Sequence, residues 1–124
     1  MRYEVNDVHE LSIMEGVLNM IRESAVQHNI SKVNRLKLVI GKLTMVLPDS
    51  LQFSFQALSS QEELFRDAVL EIEQKEIVIK CNSCQQQVTL EDGYCFVCPE
   101  CGANSVEIIS GRELYLDNYE GEDN

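Results

Sequence analysis

The chain has 124 residues, 44% of them hydrophobic, and its 21 acidic and 10 basic side chains give a formal net charge of -11. That length holds one modest core or two small lobes, and the acidic balance argues against a nucleic-acid partner, which calls for a basic face. No run is long enough to span a bilayer, and the polar start "MRYEVNDV" lacks the apolar heart of a signal peptide, so the expectation is a soluble, cytoplasmic protein with no membrane partner.

Residues 1–7 carry little structural signal and read as an N-terminal extension. From Leu11 the apolar positions Leu11, Met14, Leu18, Ile21 and Ala25 follow helical spacing, with Ser12 and Glu15 spaced as a capping box and Asn29 near the C-terminal end. Leu36, Leu38 and Ile40 then alternate with Lys37 and Val39 in a strand that Gly41 closes. Pro48 and Asp49 open a second helix, whose apolar stripe is Leu51, Phe55 and Leu58. "AVLEIEQKEIVIKC" alternates again, with Leu70 and Ile72 inward, Glu71 and Glu73 outward, and Ile77 and Ile79 extending it. "SVEIISGRELYLDNYEG" offers two short strands joined near Ser110 and Gly111, and the polar tail 121–124 reads as frayed. The order of elements predicts an α+β fold. A helix and sheet lobe comprises 8–80 plus 105–120, a zinc-ribbon-like lobe at 81–104 is inserted late, and 121–124 is an acidic tail.

All five cysteines lie between Cys81 and Cys101. In a chain without an export signal, this clustering points to a metal rather than to disulfides. Cys81-x-x-Cys84 and Cys98-x-x-Cys101 can fold together as four thiolates in a tetrahedron, a closed arrangement that suits structural Zn(II). Iron accepts the same four sulfurs, and spacing does not separate the two metals. "CFVC" makes Cys95 and Cys98 a rival pair. Gly102 favours Cys98 and Cys101, because a tight turn after the last cysteine can aim backbone N–H groups at sulfur. Cys95 then remains a free or partly buried thiol.

The two histidines have bland readings. His9 would be a surface residue ahead of a helix, and His28 a residue at a helix end where a cation meets the last carbonyls. Glu10 would be an acid near a helix N-terminus. The whole pattern changes the reading of His9. "HELSIMEGVLNMI", "LKLVIGKL", "PDSLQFSFQAL", the two C-x-x-C pairs and "GRELYLDNYE" together resemble the hydrogenase nickel-incorporation chaperones, the HypA/HybF family, over nearly the whole stretch from His9 to Glu120.

That resemblance implies a transient Ni(II) cargo held near the N-terminus by His9, with Glu10 beside it. Nitrogen donors suit square-planar Ni(II). It also implies delivery to a [NiFe]-hydrogenase large subunit precursor, with a HypB-type GTPase as partner. A homo-oligomer is left open. The family begins Met-His-Glu, whereas here Val8 precedes His9 and seven further residues stand in front. One explanation is that Val8 is the initiator, read in the cell as methionine; the other is a real extension, which moves the free amine to Met1, away from His9. Another departure is Lys42, where many relatives carry an acid. No phosphate-binding glycine loop, nucleophile elbow or matched catalytic pair is present, so the expectation is a metallochaperone and not an enzyme. The rival readings are a zinc-ribbon interaction adaptor without a nickel role and an iron-loaded electron carrier.

Overall fold

The structure is a computed structural model that describes residues 2–91 and 95–123, with side chains from Glu10 onward. Helix α1 (Arg2–Gln27) begins nine residues ahead of Leu11, where the periodicity placed it. No Gly or Pro stands before Gly16, so nothing in the segment stops the helix from running back. Ser12, expected as its cap, is an exposed residue inside the helix. The buried face is Met14, Val17, Leu18, Ile21 and Ala25, whereas Leu11 is 41% exposed and falls outside it. The helix ends at Gln27, and two residues on Asn29 turns the chain with a φ of 57°, the left-handed conformation asparagine tolerates.

Strand β1 (Ile30–Gly41) follows, with Leu36, Leu38 and Ile40 buried as the alternation predicted. After a 3-10 turn at Lys42–Thr44, α2 (Pro48–Ser59) starts on its proline and buries Leu51 and Phe55. Five more strands complete the chain: β2 (Val69–Lys75), β3 (Ile77–Cys81), β4 (Gln87–Leu90), β5 (Val106–Ser110) and β6 (Leu114–Asp123). They form two three-stranded sheets, ordered β2-β1-β6 and β4-β3-β5.

The alternation from Leu70 to Ile79 is therefore two strands in two sheets, not one. The break at Glu76 shows in the pattern itself. The inward residues are even-numbered at Leu70 and Ile72 but odd-numbered at Ile77 and Ile79, a slip that would turn one face of a continuous strand inside out. The tail also departs from expectation, because β6 carries Gly121, Glu122 and Asp123. Gly121 lies so close to β1 that an added Cβ would stand 2.5 Å from the Lys32 carbonyl oxygen.

The chain divides into two compact units. The first, Met1–Leu38 with Val46–Glu73 and Tyr115–Asn124, holds α1 packed on α2 and most of the large buried side chains. Arg22 on α1 pairs with Glu62 at 2.8 Å and lies 5.8 Å from the centre of the Phe65 ring. On the middle strand, Arg35 reaches Glu71 on one side and Asn118 and Glu120 on the other. These cross-strand charge pairs fix register more than they add stability.

The second unit, Val39–Met45 with Gln74–Leu114, centres on β3, which pairs antiparallel with both β4 and β5. Its apolar nucleus is small: Ile77, Ile79 and Leu90, with Leu43, Val88, Val106 and Ile108 against it. Gly41 donates to the Glu113 carbonyl and Leu43 to that of Gly111, both at 2.8 Å. The approach is so tight that a Cβ on Gly41 would fall 2.1 Å from the Gly111 carbonyl carbon.

Candidate metal centre

The second unit gathers Cys81, Cys84, Cys98 and Cys101 so that their four sulfurs lie within 4.8 Å of one another. The Cys81–Cys101 and Cys84–Cys98 sulfur pairs stand 3.6 and 3.7 Å apart. A tetrahedron with metal–sulfur bonds of about 2.3 Å has edges of about 3.8 Å, so the donor set fits zinc. Cys95 is exposed and is not one of the four.

Two turns of matching design build the centre. In the first, Gln85 N–H donates to the Cys81 carbonyl and Cys81 N–H to that of Gln86, both at 2.9 Å. In the second, Gly102 N–H donates to the Cys98 carbonyl and Cys98 N–H to that of Ala103, both at 2.8 Å. Each turn needs a residue with positive φ after its second cysteine, 66° at Gln85 and 80° at Gly102. The chain then bends so that the next backbone N–H meets the sulfur, Gln86 at Cys84 and Ala103 at Cys101. The sequence pointed to Gly102. It gave no glycine cue for Gln85, yet Gln85 occupies the same slot behind its own C-x-x-C pair, and that correspondence is the signal available.

The backbone also prepares the sulfurs for a cation. The Cys81 thiol is drawn down to about 6, first by the Cys84 N–H and then, against burial, by that of Ser83. Cys84 receives the Gln86 N–H, but burial and the adjoining sulfurs outweigh it and push this thiol up to about 12. Cys101 is also raised, despite the N–H of Ala103, mainly by the sulfur of Cys81. One thiolate forms readily and then discourages its neighbours. A divalent cation at the centre removes that penalty, which couples metal capture to proton release.

In the first unit, Glu10 is only 6% exposed. Its Oε2 accepts the Leu47 N–H at 2.9 Å, just ahead of the first turn of α2. Beside it lies an open cavity of about 320 Å³ lined by Glu10, Leu11, Asp49, Ser50, Phe53 and Ser54. The side chain of His9 lies outside the described residues, as do those of Met1 and Val8. His28 is exposed, with Nδ1 2.9 Å from the Ser24 carbonyl oxygen at the end of α1. Among the described residues, no helix is long and apolar enough to cross a membrane.

Comparison with known proteins gives one consistent result. Residues 8–121 match the family model described as hydrogenase/urease nickel incorporation, metallochaperone, HypA. The chain is 42% identical over 115 residues to the hydrogenase maturation factor HypA of Moorella thermoacetica, covering 93% of this chain and all of the relative. It is 36% identical over 116 residues to the HypA of Desulfitobacterium hafniense, again covering that relative in full. Its fold resembles the solution structure of the Ni metallochaperone HypA from Helicobacter pylori, with a TM-score of 0.62 at 21% identity, over 93% of this chain and 98% of that one. A second HypA solution structure superposes with a TM-score of 0.69 at 21% identity, over 94% and 98% of the two chains.

Proposed function

Because this chain belongs to the HypA family of hydrogenase/urease nickel-incorporation metallochaperones, we propose that it carries Ni(II) near its N-terminus, bound through His9, and delivers it to a [NiFe]-hydrogenase precursor. The observation that carries this reading is the full-length match, which runs from residue 8 through the cysteine pairs to residue 121. His9 supplies an imidazole nitrogen, a donor that suits Ni(II), with Glu10 supporting it.

The two units divide the work. The unit containing α1 handles nickel. The cysteine unit holds one structural Zn(II) through Cys81, Cys84, Cys98 and Cys101, a reading supported by the sulfur spacing and by the four N–H groups aimed at three of the sulfurs. All four positions are filled by protein, so zinc shapes the unit and leaves no place for a reacting ligand. The partners in this reading are a HypB-type GTPase and the hydrogenase large subunit precursor, in the cytoplasm where maturation precedes assembly. The protein acts as a carrier and catalyses no reaction of its own.

Nickel titration of the wild type and of His9→Ala, followed by isothermal calorimetry, tests the proposal. The variant is expected to keep its helicity and zinc but lose tight nickel binding, and to fail to restore hydrogenase maturation in a strain lacking this protein. Nickel affinity and maturation equal to wild type would refute the role of His9.

A further inference from the structure

We propose that the free edge of β6 is a docking strand, and that its occupant is an extended basic segment of a partner protein, added beside β6 as a further strand. This surface takes no part in either metal reading. The sheet of the first unit runs β2-β1-β6, so β6 has a strand neighbour on one side only. It is long, Leu114–Asp123, and none of its residues is buried. The N–H and carbonyl groups along such an edge call for another strand, because only a strand presents matching groups in a row.

The two edges of the sheet differ. On β2, α2 already supplies a partner, since Gln52 Nε2 donates to the Leu70 carbonyl at 2.8 Å. Among the described residues, the one side chain bonded to the backbone of β6 is Ser31 of neighbouring β1, whose Oγ donates to the Glu122 carbonyl at 3.4 Å. No proline and no lysine stand on β6 to discourage pairing.

Charge selects the occupant. β6 carries Asp117, Glu120, Glu122 and Asp123 and no basic residue. Its neighbour β1 carries Lys32, Arg35 and Lys37 and no acidic one. The sheet thus alternates in sign. Arg35 reaches Glu71 of β2 at 2.7 Å and Glu120 of β6 at 2.9 Å, and Lys37 reaches Glu73 of β2 at 3.0 Å. A strand on the far side of β6 continues that alternation only if it is basic. Glu122 and Asp123 are exposed and pair with no cation among the described residues. A second copy does not fit, because two β6 strands laid edge to edge would set acid against acid, in chains that each carry -11. The same sign turns away nucleic acid. β1 itself shows the chemistry that β6 accepts: apolar residues alternating with basic ones, as in Arg35, Leu36, Lys37 and Leu38.

The probe is a synthetic peptide of about ten residues, the length of the free edge, in which lysine alternates with valine and threonine. One control peptide has glutamate at each lysine. Another keeps every charge but is methylated at successive backbone nitrogens, which removes the donors from both of its edges. Binding to the full chain with zinc bound is followed by fluorescence anisotropy, and the place of binding by amide hydrogen exchange. The lysine peptide is expected to bind at least about tenfold more tightly than the glutamate peptide. Its affinity should fall as salt is raised, and it should slow the exchange of alternate amides along β6. Methylation is expected to weaken binding at least about tenfold. Glu122→Lys combined with Asp123→Lys changes two exposed side chains at the end of β6. It is expected to weaken the lysine peptide about fivefold, with zinc content and helicity as in wild type.

Equal affinity for the lysine and glutamate peptides overturns the choice of occupant. Undiminished binding of the methylated peptide, or binding that leaves β6 exchange unchanged, shows a loose ionic contact and overturns strand addition, as does no binding at all. A dimer in sedimentation that protects β6 assigns the edge to a second copy, and the proposal is then wrong. None of these outcomes touches the role of His9, which the nickel titration decides separately.

Discussion

The two units hold themselves together by different means. In the first, Met14, Leu18, Ile21, Leu36, Leu38 and Leu51 are each no more than 1% exposed, and the same dense burial extends to Phe55 and Phe65. In the second, the apolar nucleus is three buried residues on two short strands, too little to order nearly fifty residues against their chain entropy. What it has instead is four sulfurs from two short turns, within reach of one ion. A helical face records its stability in periodicity, spread over many residues. A metal centre concentrates it in four, and each is then indispensable.

The largest effect should come from breaking the concentrated side. Cys98 is buried among the four clustered cysteines, and Cys98→Ala leaves three sulfurs where four come within reach of one ion. Structural zinc contributes on the order of 10 kcal/mol in small metal-dependent domains. The variant is expected to lose stoichiometric zinc and backbone amide protection across β3, β4 and β5, while α1 stays protected in hydrogen exchange. Cys95→Ser should change neither. Zinc retained in Cys98→Ala but lost in Cys95→Ser would mean that the wrong sulfur has been placed in the centre.

An intermediate effect should come from the distributed side. Leu18 is fully buried on α1, and Leu18→Ala should cost about 2–5 kcal/mol of stability by leaving a cavity. Chemical denaturation followed by helical circular dichroism measures that loss, and the zinc content should remain at one per chain. A fall in zinc alongside the melting shift would show that the two means of stabilisation are not separate.

The smallest effects lie within the centre and sharpen the contrast between its own two turns. Gly102 and Gln85 hold equivalent left-handed positions. A Cβ at Gly102 would meet nothing within 4 Å, so Gly102→Ala should cost only the conformational penalty, about 1–2 kcal/mol. Gln85→Gly relieves that penalty and should gain about 1 kcal/mol or less, since glycine also loosens the unfolded chain. Zinc retention against a chelator should therefore rank Gln85→Gly above wild type and wild type above Gly102→Ala. The reverse order would mean that the Gln85 side chain contributes more than its strain costs, for instance through its contact with the Asn82 carbonyl.

The same contrast explains what could be read from the sequence. The four sulfurs were legible because C-x-x-C spacing encodes a geometry locally, and the structure brings together the four residues that spacing selected. The buried stripe of α1 and the alternation of β1 were legible for the same reason. Boundaries were harder. Ser12 carried the chemistry of a cap, but nothing before it halts a helix, and α1 runs on to Arg2. The split between β2 and β3 hid in a parity change at Glu76, visible only when the inward positions are counted. The continuation of β6 through Gly121 was masked by polar composition; its partner, β1, is remote in sequence, and the close approach to Lys32 is what makes glycine suitable there. The bond between Glu10 and Leu47 links residues 37 positions apart, and no local pattern announces it.

The glycine contact at Gly41 and Gly111 sets an order of events during folding. Bringing these segments together closes a loop of roughly 70 residues, whereas Cys81 and Cys101 are only 20 apart. By the logarithmic growth of closure entropy, the longer loop costs roughly 1 kcal/mol more. Ion capture by the two turns can therefore come first and draw β3 and β5 into register. The span left for Gly41 to close then falls from roughly 70 residues to roughly 40, and a newly made chain short of zinc would form this seam more slowly.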